Sequence, residues 1–283
     1  MPCYKPIAGF RTPDGVVFSE LARHDILGDI KLPCGQCLGC RLDRAREWSV
    51  RCLHEAKMHR ENSFITLTYA EENLPVNNSL DYRDYQLFMK RLRKKAGPVR
   101  FFMCGEYGEL LKRPHYHAIL FGYQFPDLVY MGKSGAGYPV YRSPLLENLW
   151  PLGRSLVGAV SRQSAGYVAR YCLKKVNGDR AEAHYNGRTP EFAHMSLKPG
   201  LGATFFQKWS GDILPNDYVI EDGYKIPVPK YYDKLFKGDI DDVKFEREKY
   251  ARTRLDNNTP ERLAVREVVQ HERIKALNRG KVE

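Results

Sequence analysis

The sequence predicts an α+β protein in which antiparallel strands are flanked by helices, and three features carry that expectation. Runs rich in β-branched and aromatic residues, at 63–69, 99–106 and 114–121, have the composition of strands. Around them lie segments whose apolar residues recur three and four apart, the period of amphipathic helices. The second and third strands are joined by a short connection containing Gly108, Lys112 and Arg113, which suits an antiparallel hairpin.

The first segment with chemistry in it is Cys34-Gly35-Gln36-Cys37-Leu38-Gly39-Cys40, which holds three of the seven cysteines. Two-residue gaps let thiolates converge on one tetrahedral ion more readily than they allow disulfides, so a structural Zn²⁺ site is one reading. Cys3 is the candidate fourth ligand, because Cys52 falls in helical step with Trp48 and Ala56 on a packed face. Reduced structural thiols and a redox pair are the other readings. From Arg41 to about residue 60, Ala45, Trp48, Cys52 and Ala56 have helical spacing, with Arg41, Arg44, Arg46 and Arg51 on other faces.

After the strand at 63–69 comes a loop over 73–79 containing Pro75. Asp81 suits the N-cap of a helix that carries Tyr85, Phe88, Met89 and Leu92 on one face and stops at Gly97-Pro98. Its last turns hold Lys90, Arg91, Arg93, Lys94 and Lys95, either a solvated face favoured by the helix dipole or a phosphate-contacting patch. The strands at 99–106 and 114–121 follow; residues 122–160, dense in Gly, Pro and Tyr, are expected to be loops and short elements. A helix is expected over 161–176, closed by Asn177-Gly178. Residues 189–202 read as structured loops, Phe205, Phe206 and Trp209 as packing, and Pro227–Pro229 as a linker or extended arm. Two polar helices end the chain, near 240–256 and 260–278, the second opened by Thr259-Pro260-Glu261. The expected division is a Cys-rich segment and basic helix at 1–60, a central domain at 61–210, and a linker with a helical extension at 211–283.

Composition sets outer limits on function. With 283 residues and 43% hydrophobic content the chain can bury a core without staples. Lys and Arg number 45 against 34 Asp and Glu, a net charge of +11 that favours a polyanionic partner. No apolar stretch approaches the roughly 20 residues of a membrane span, and the N-terminus lacks the pattern of a signal peptide, so a soluble cytoplasmic protein without membrane partners is expected.

Two constellations carry the chemistry. In a strand, alternate side chains share a face, so His115 and His117 point the same way while Tyr116 points opposite. If the hairpin pairs as expected, Glu106 ends beside His115 and adds a hard oxygen to two imidazoles, a set that suits Mn²⁺ and tolerates Mg²⁺. Glu109 is the competing carboxylate. On the expected helix, Tyr171 lies roughly 40° from Tyr167 and Lys174 about 20° to its other side, so the three share a face. Ala165, Val168, Ala169, Cys172 and Val176 form a separate apolar stripe. A phenol is a weak nucleophile at neutral pH unless a base or cation assists it, and Lys174, with Lys175 as second choice, is placed to do so.

The segments Phe64-Ile65-Thr66-Leu67-Thr68-Tyr69, Arg113-Pro114-His115-Tyr116-His117 and Tyr167-Val168-Ala169-Arg170-Tyr171-Cys172-Leu173-Lys174-Lys175 resemble, in order, the three motifs of rolling-circle replication initiators of the HUH endonuclease superfamily. The likeness is nearest to the initiators of gokushovirus-type microviruses, whose members also begin with a cysteine cluster, and it runs over roughly residues 1–210. It implies a central antiparallel sheet with the histidine strand in its middle and the tyrosine helix across it. It also implies nicking of the replication origin, with Tyr167 and Tyr171 as alternating nucleophiles that leave a 5′-phosphotyrosine and a free 3′-OH. The partners implied are single-stranded origin DNA and, as candidates, a host helicase and polymerase in the bacterial cytoplasm. An HUH transposase or relaxase is the alternative enzyme; a non-catalytic zinc-containing nucleic-acid-binding regulator is the alternative of a different class.

Overall fold

The computed structural model describes residues 3–19, 25–108, 111–170 and 175–279. In chain order they form β1 (Ile7–Thr12), β2 (Gly15–Val17), β3 (Gly28–Leu32), α1 (Leu38–Lys57), β4 (Asn62–Tyr69), α2 (Tyr82–Ala96), β5 (Arg100–Tyr107) and β6 (Pro114–Phe121). There follow β7 (Val129–Lys133), β8 (Pro139–Arg142), α3 (Pro144–Leu149), β9 (Gly153–Gly158), α4 (Arg162–Ala169), α5 (Arg180–Tyr185) and β10 (Phe192–Met195). The chain ends with α6 (Ala203–Asn216), β11 (Tyr218–Glu221), β12 (Tyr224–Pro227), α7 (Lys230–Leu235), α8 (Asp241–Arg252) and α9 (Pro260–Arg279). The α+β class is as the sequence implied: a seven-stranded sheet in the order β10-β5-β6-β4-β9-β8-β7, antiparallel throughout, with nine helices among the described residues.

By its contacts the chain divides into two compact units, Met1–Arg44 with Lys244–Glu283, and Ala45–Val243. The first holds the small sheet β2-β1-β3 and the cysteine cluster, where Leu263 of α9 packs with Tyr4 and Cys37. The second holds the seven-stranded sheet. One face of that sheet, with Ile65, Leu67, Met103, Tyr116 and Leu120, packs on Tyr85, Phe88, Met89 and Leu92 of α2 and on Trp150. Burying each of these large side chains stabilises the fold by about 1.5–3 kcal/mol. The other face places Phe102, Cys104, Ile119 and Phe121 against Cys52 of α1 and Ala165 and Val168 of α4. Because β5 and β6 are covered on both sides, they read as nearly continuous apolar runs.

Local chemistry starts and stops the helices that matter. The Asp81 carboxylate accepts the Arg83 N–H at 2.8 Å at the start of α2, and Gly97 closes it at a positive φ. Ser161 and Ser164 make a reciprocal capping box at the start of α4. The expected 161–176 helix is shorter than its pattern suggested: α4 ends at Ala169, where the Arg170 N–H is shared between the carbonyls of Gly166 and Tyr167, and residues 175–177 are not helical.

The short elements expected among the loops of 122–160 are three strands and a helix, and β9 is a direct neighbour of β4. Hydropathy hides β9 because Ser155 and Val157 point inward while Leu156 is 42% exposed, which inverts the usual alternation at two positions. β7 is exposed along nearly its whole length and so has no contrast between faces to detect. Within 189–202 lies the edge strand β10 rather than loop alone, and Pro227 is the last residue of the hairpin β11–β12.

The β4–β9 contact leaves no room for a side chain at Gly153, where a Cβ would lie 2.3 Å from the Thr68 carbonyl oxygen and the Ala70 nitrogen. Both atoms are backbone and can yield only if the strands part. Gly153→Ala should therefore lower stability by about 1–3 kcal/mol, measured by denaturant unfolding. An unchanged midpoint would show that β9 can shift away from β4 at no cost.

Candidate metal and tyrosine centre

Strand register builds the first cluster. In the β5–β6 hairpin Glu106 pairs with His115, and on the other side of β6 Thr66 of β4 pairs with His117. Opposite residues share a face, so Glu106, His115, His117 and Thr66 project together from the α4 side of the sheet. Glu106 and His117 are buried and His115 half-buried. The Glu106 Oε1 atom lies 3.2 Å from His115 Nε2 and 3.4 Å from His117 Nε2. The two imidazoles meet edge to face with centroids 4.8 Å apart.

The opposite ring nitrogens have their own partners. His115 Nδ1 lies 3.1 Å from the Arg113 carbonyl oxygen, which can only accept, so Nδ1 carries the hydrogen. A neutral His115 then turns the Nε2 lone pair towards a carboxylate oxygen, which is repulsive unless a cation lies between them. His117 Nδ1 lies 3.0 Å from Thr66 Oγ1, and the Phe64 ring stacks on the imidazole at 5.7 Å and 7°. Two imidazole nitrogens, each on a ring oriented from behind, and a carboxylate oxygen form a group that could hold a divalent ion.

Helix α4 brings the tyrosine. Ala165, Val168 and Ala169 are buried, the inward stripe the sequence suggested. Tyr167 lies off that stripe; its hydroxyl donates to Glu106 Oε1 at 3.0 Å and its ring meets the His117 edge at 4.8 Å. Glu106 Oε1 is thus the point on which both histidines and the phenol converge. Tyr171, Lys174 and the competing carboxylate Glu109 lie outside the described residues, and Lys175 lies just beyond α4 in a non-helical, half-buried position. In the sequence Thr66 and Phe64 belong to a strand motif that by itself gives neither a chemical task. Only the register, which places Thr66 opposite His117, gives them one.

The second cluster lies in the other unit. One sulfur from each of Cys3, Cys34, Cys37 and Cys40 falls within a 4.8 Å set, so Cys3 does complete the group, and Cys52 is fully buried elsewhere. Backbone N–H groups point at the sulfurs: Tyr4 to Cys37 at 3.3 Å, Cys34 to Cys3 at 3.2 Å and Cys37 to Cys34 at 3.3 Å. Burial pushes the Cys37 thiol up, but N–H groups of Cys40 and Tyr4 outweigh it and bring its pKa down to about 7. Cys40 is pushed up by burial and by hydrogen bonding with Cys3. Four thiols this close cannot all ionise without a cation among them, so this cluster too could hold a metal.

The sequence pattern of the family described as "Replication-associated protein ORF2/G2P" matches residues 62–176, the span from β4 through α4. The chain is 34% identical over 251 residues to replication-associated protein VP4 of Bdellovibrio phage phiMH2K, covering 84% of this chain and 78% of that one. It is 33% identical over 262 residues to replication-associated protein ORF2 of Spiroplasma virus 4, covering 83% and 80% respectively. To replication-associated protein ORF4 of Chlamydia phage 1 it is 30% identical over 231 residues, covering 77% of this chain and 57% of that one. No solved structure matches the chain. The chain belongs to the family of phage replication-associated proteins, of the gokushovirus type that its motifs resemble. Among the described residues no helix is long and apolar enough to cross a membrane.

The two donor sets can be told apart by their light absorption. Cobalt(II) added to the metal-free chain should give thiolate-to-metal charge-transfer absorption that Cys37→Ser removes and His117→Ala retains. Charge-transfer bands that survive Cys37→Ser would mean the four sulfurs do not act as one site.

Proposed function

We propose that the protein initiates rolling-circle replication as a metal-dependent, site-specific single-strand DNA endonuclease and ligase. The observation that supports this most is the convergence of His115 Nε2, His117 Nε2 and the Tyr167 hydroxyl on Glu106 Oε1. A metal-type donor set in contact with a phenol fits transesterification of a phosphodiester, in which the phenol itself is the nucleophile. The names of the relatives, all replication-associated proteins of phages, agree with an origin as the substrate. We assign this activity to residues 61–210.

Glu106, His115 and His117 would hold Mn²⁺ or Mg²⁺. An ion bound there supplies Lewis acidity, neutralising charge that builds on the non-bridging phosphate oxygens. The chain's own residues do the rest. Glu106 Oε1 accepts the hydrogen bond from Tyr167, so the phenolic proton is already directed towards a carboxylate as the oxygen attacks. The Tyr167 oxygen–phosphorus bond forms as the bond from phosphorus to the 3′ oxygen breaks; the phenolic proton leaves by way of Glu106 and the departing 3′ oxygen takes up one proton in its place, leaving a 5′-phosphotyrosine and a free 3′-OH. One phosphodiester replaces another, so rejoining needs no nucleotide triphosphate. Lys174 is assigned to the scissile phosphate or to lowering the phenol pKa, and Tyr171 to the second cleavage that releases a circle. Zn²⁺ is assigned to Cys3, Cys34, Cys37 and Cys40 as a structural ion. Single-stranded origin DNA is the partner, and a host helicase and polymerase in the bacterial cytoplasm complete the proposal.

The proposal is tested with single-stranded origin oligonucleotides and Mn²⁺, scoring covalent adducts by denaturing gel and peptide mass. Tyr167→Phe and Tyr171→Phe should each keep some single-turnover cleavage yet fail in repeated strand release, and the double variant should form no adduct. His117→Ala should lower cleavage at least about 10²-fold, the scale of losing electrostatic stabilisation at the reacting phosphate, while retaining single-strand binding. Full cleavage by His117→Ala, or full activity in EDTA, would sink the metal assignment. A single tyrosine variant that completes multiple rounds normally would remove that tyrosine from the mechanism.

A further inference from the structure

The two histidines are oriented from behind by different kinds of acceptor. Behind His115 stands a backbone carbonyl, that of Arg113, which is present whatever side chain the position carries. Behind His117 stands a side-chain hydroxyl, Thr66 Oγ1, 3.0 Å from Nδ1. That hydroxyl can act in either direction. If it donates to Nδ1, the hydrogen of a neutral imidazole sits on Nε2 and blocks ligation; if it accepts from Nδ1, the Nε2 lone pair is free to bind a cation. The ring cannot readily swing away from this choice, because Phe64 is stacked on one side and Tyr167 meets its edge.

Resting on the metal reading above, we propose that Thr66 is a positioning residue. It accepts the Nδ1–H of His117, fixing the tautomer and ring orientation that present Nε2 to an ion shared with His115 and Glu106. Strand geometry supports this, since Thr66 and His117 are directly opposed across β4 and β6 and so face the same side by register. This gives a chemical task to the first of the three motifs, beyond supplying a strand.

The test compares Thr66→Val, which keeps the shape and strand preference but loses the hydroxyl, with Thr66→Ser, which keeps the hydroxyl. Mn²⁺ affinity is read on the full chain from the electron paramagnetic resonance signal of free Mn²⁺. Loss of a group that orients a ligating histidine typically weakens metal binding about 10–100-fold. Thr66→Val should fall in that range, and Thr66→Ser should stay within about threefold of the unchanged protein. Long-range ¹⁵N–¹H correlation spectra of the unsubstituted protein loaded with diamagnetic Mg²⁺ should show His117 protonated at Nδ1, a reading that does not depend on any variant folding. Wild-type Mn²⁺ binding that Thr66→Val leaves within twofold, or a His117 protonated at Nε2, would overturn the role of Thr66 alone. Absence of Mn²⁺ binding that His115→Ala can remove would overturn the metal reading itself, and this inference with it.

Discussion

The antiparallel register of β5, β6 and β4 is the constraint on which the candidate centre depends. It sets Glu106 against His115 and Thr66 against His117, and it does so through backbone hydrogen bonds rather than through the polar side chains themselves. A slip of one residue on β6 would send both histidines to the α2 side and bring Tyr116 into their place. That slip is opposed by the packing of the same strands. Tyr116, Ala118 and Leu120 are buried on one side and Ile119 and Phe121 on the other. Tyr116 is further tied by hydrogen bonds to Tyr69 and to the backbone of Asp81. The apolar core therefore holds a buried carboxylate beside two imidazoles, an arrangement that would be costly without a compensating cation.

Helix α4 is subordinate to that sheet. Its small inward residues, Ala165 and Ala169 with Val168 between them, let the helix lie close against β5 and β6, and closeness is what brings the Tyr167 hydroxyl to Glu106. The cysteine cluster belongs to a different unit, joined with the C-terminal helix through Leu263. The two units offer separate donor types, sulfur in one and nitrogen with oxygen in the other, which favour different ions.

Much of this was legible in the sequence because the relevant signals are local. The His-Tyr-His alternation, the capping signal of Asp81, and the two-residue gaps among Cys34, Cys37 and Cys40 are each contained within a few residues. Even the pairing of Glu106 with His115 follows from one short hairpin. Thr66 could not be assigned because its meaning depends on a pairing between strands about fifty positions apart. β9 was hidden by an inward serine and an outward leucine, and β7 by uniform exposure. Apolar spacing continues past Ala169 and so suggests one longer tyrosine helix, while the backbone tightens at Arg170 and residues 175–177 are not helical.

The sheet register is proposed to create one divalent-ion site at Glu106, His115 and His117. Anomalous scattering at the manganese edge, from crystals of the full chain grown with Mn²⁺, tests it most directly. A single strong peak within about 2.5 Å of Glu106 Oε1 and of both Nε2 atoms is expected. Crystals with no peak there, or with manganese bound only at other residues, would contradict it.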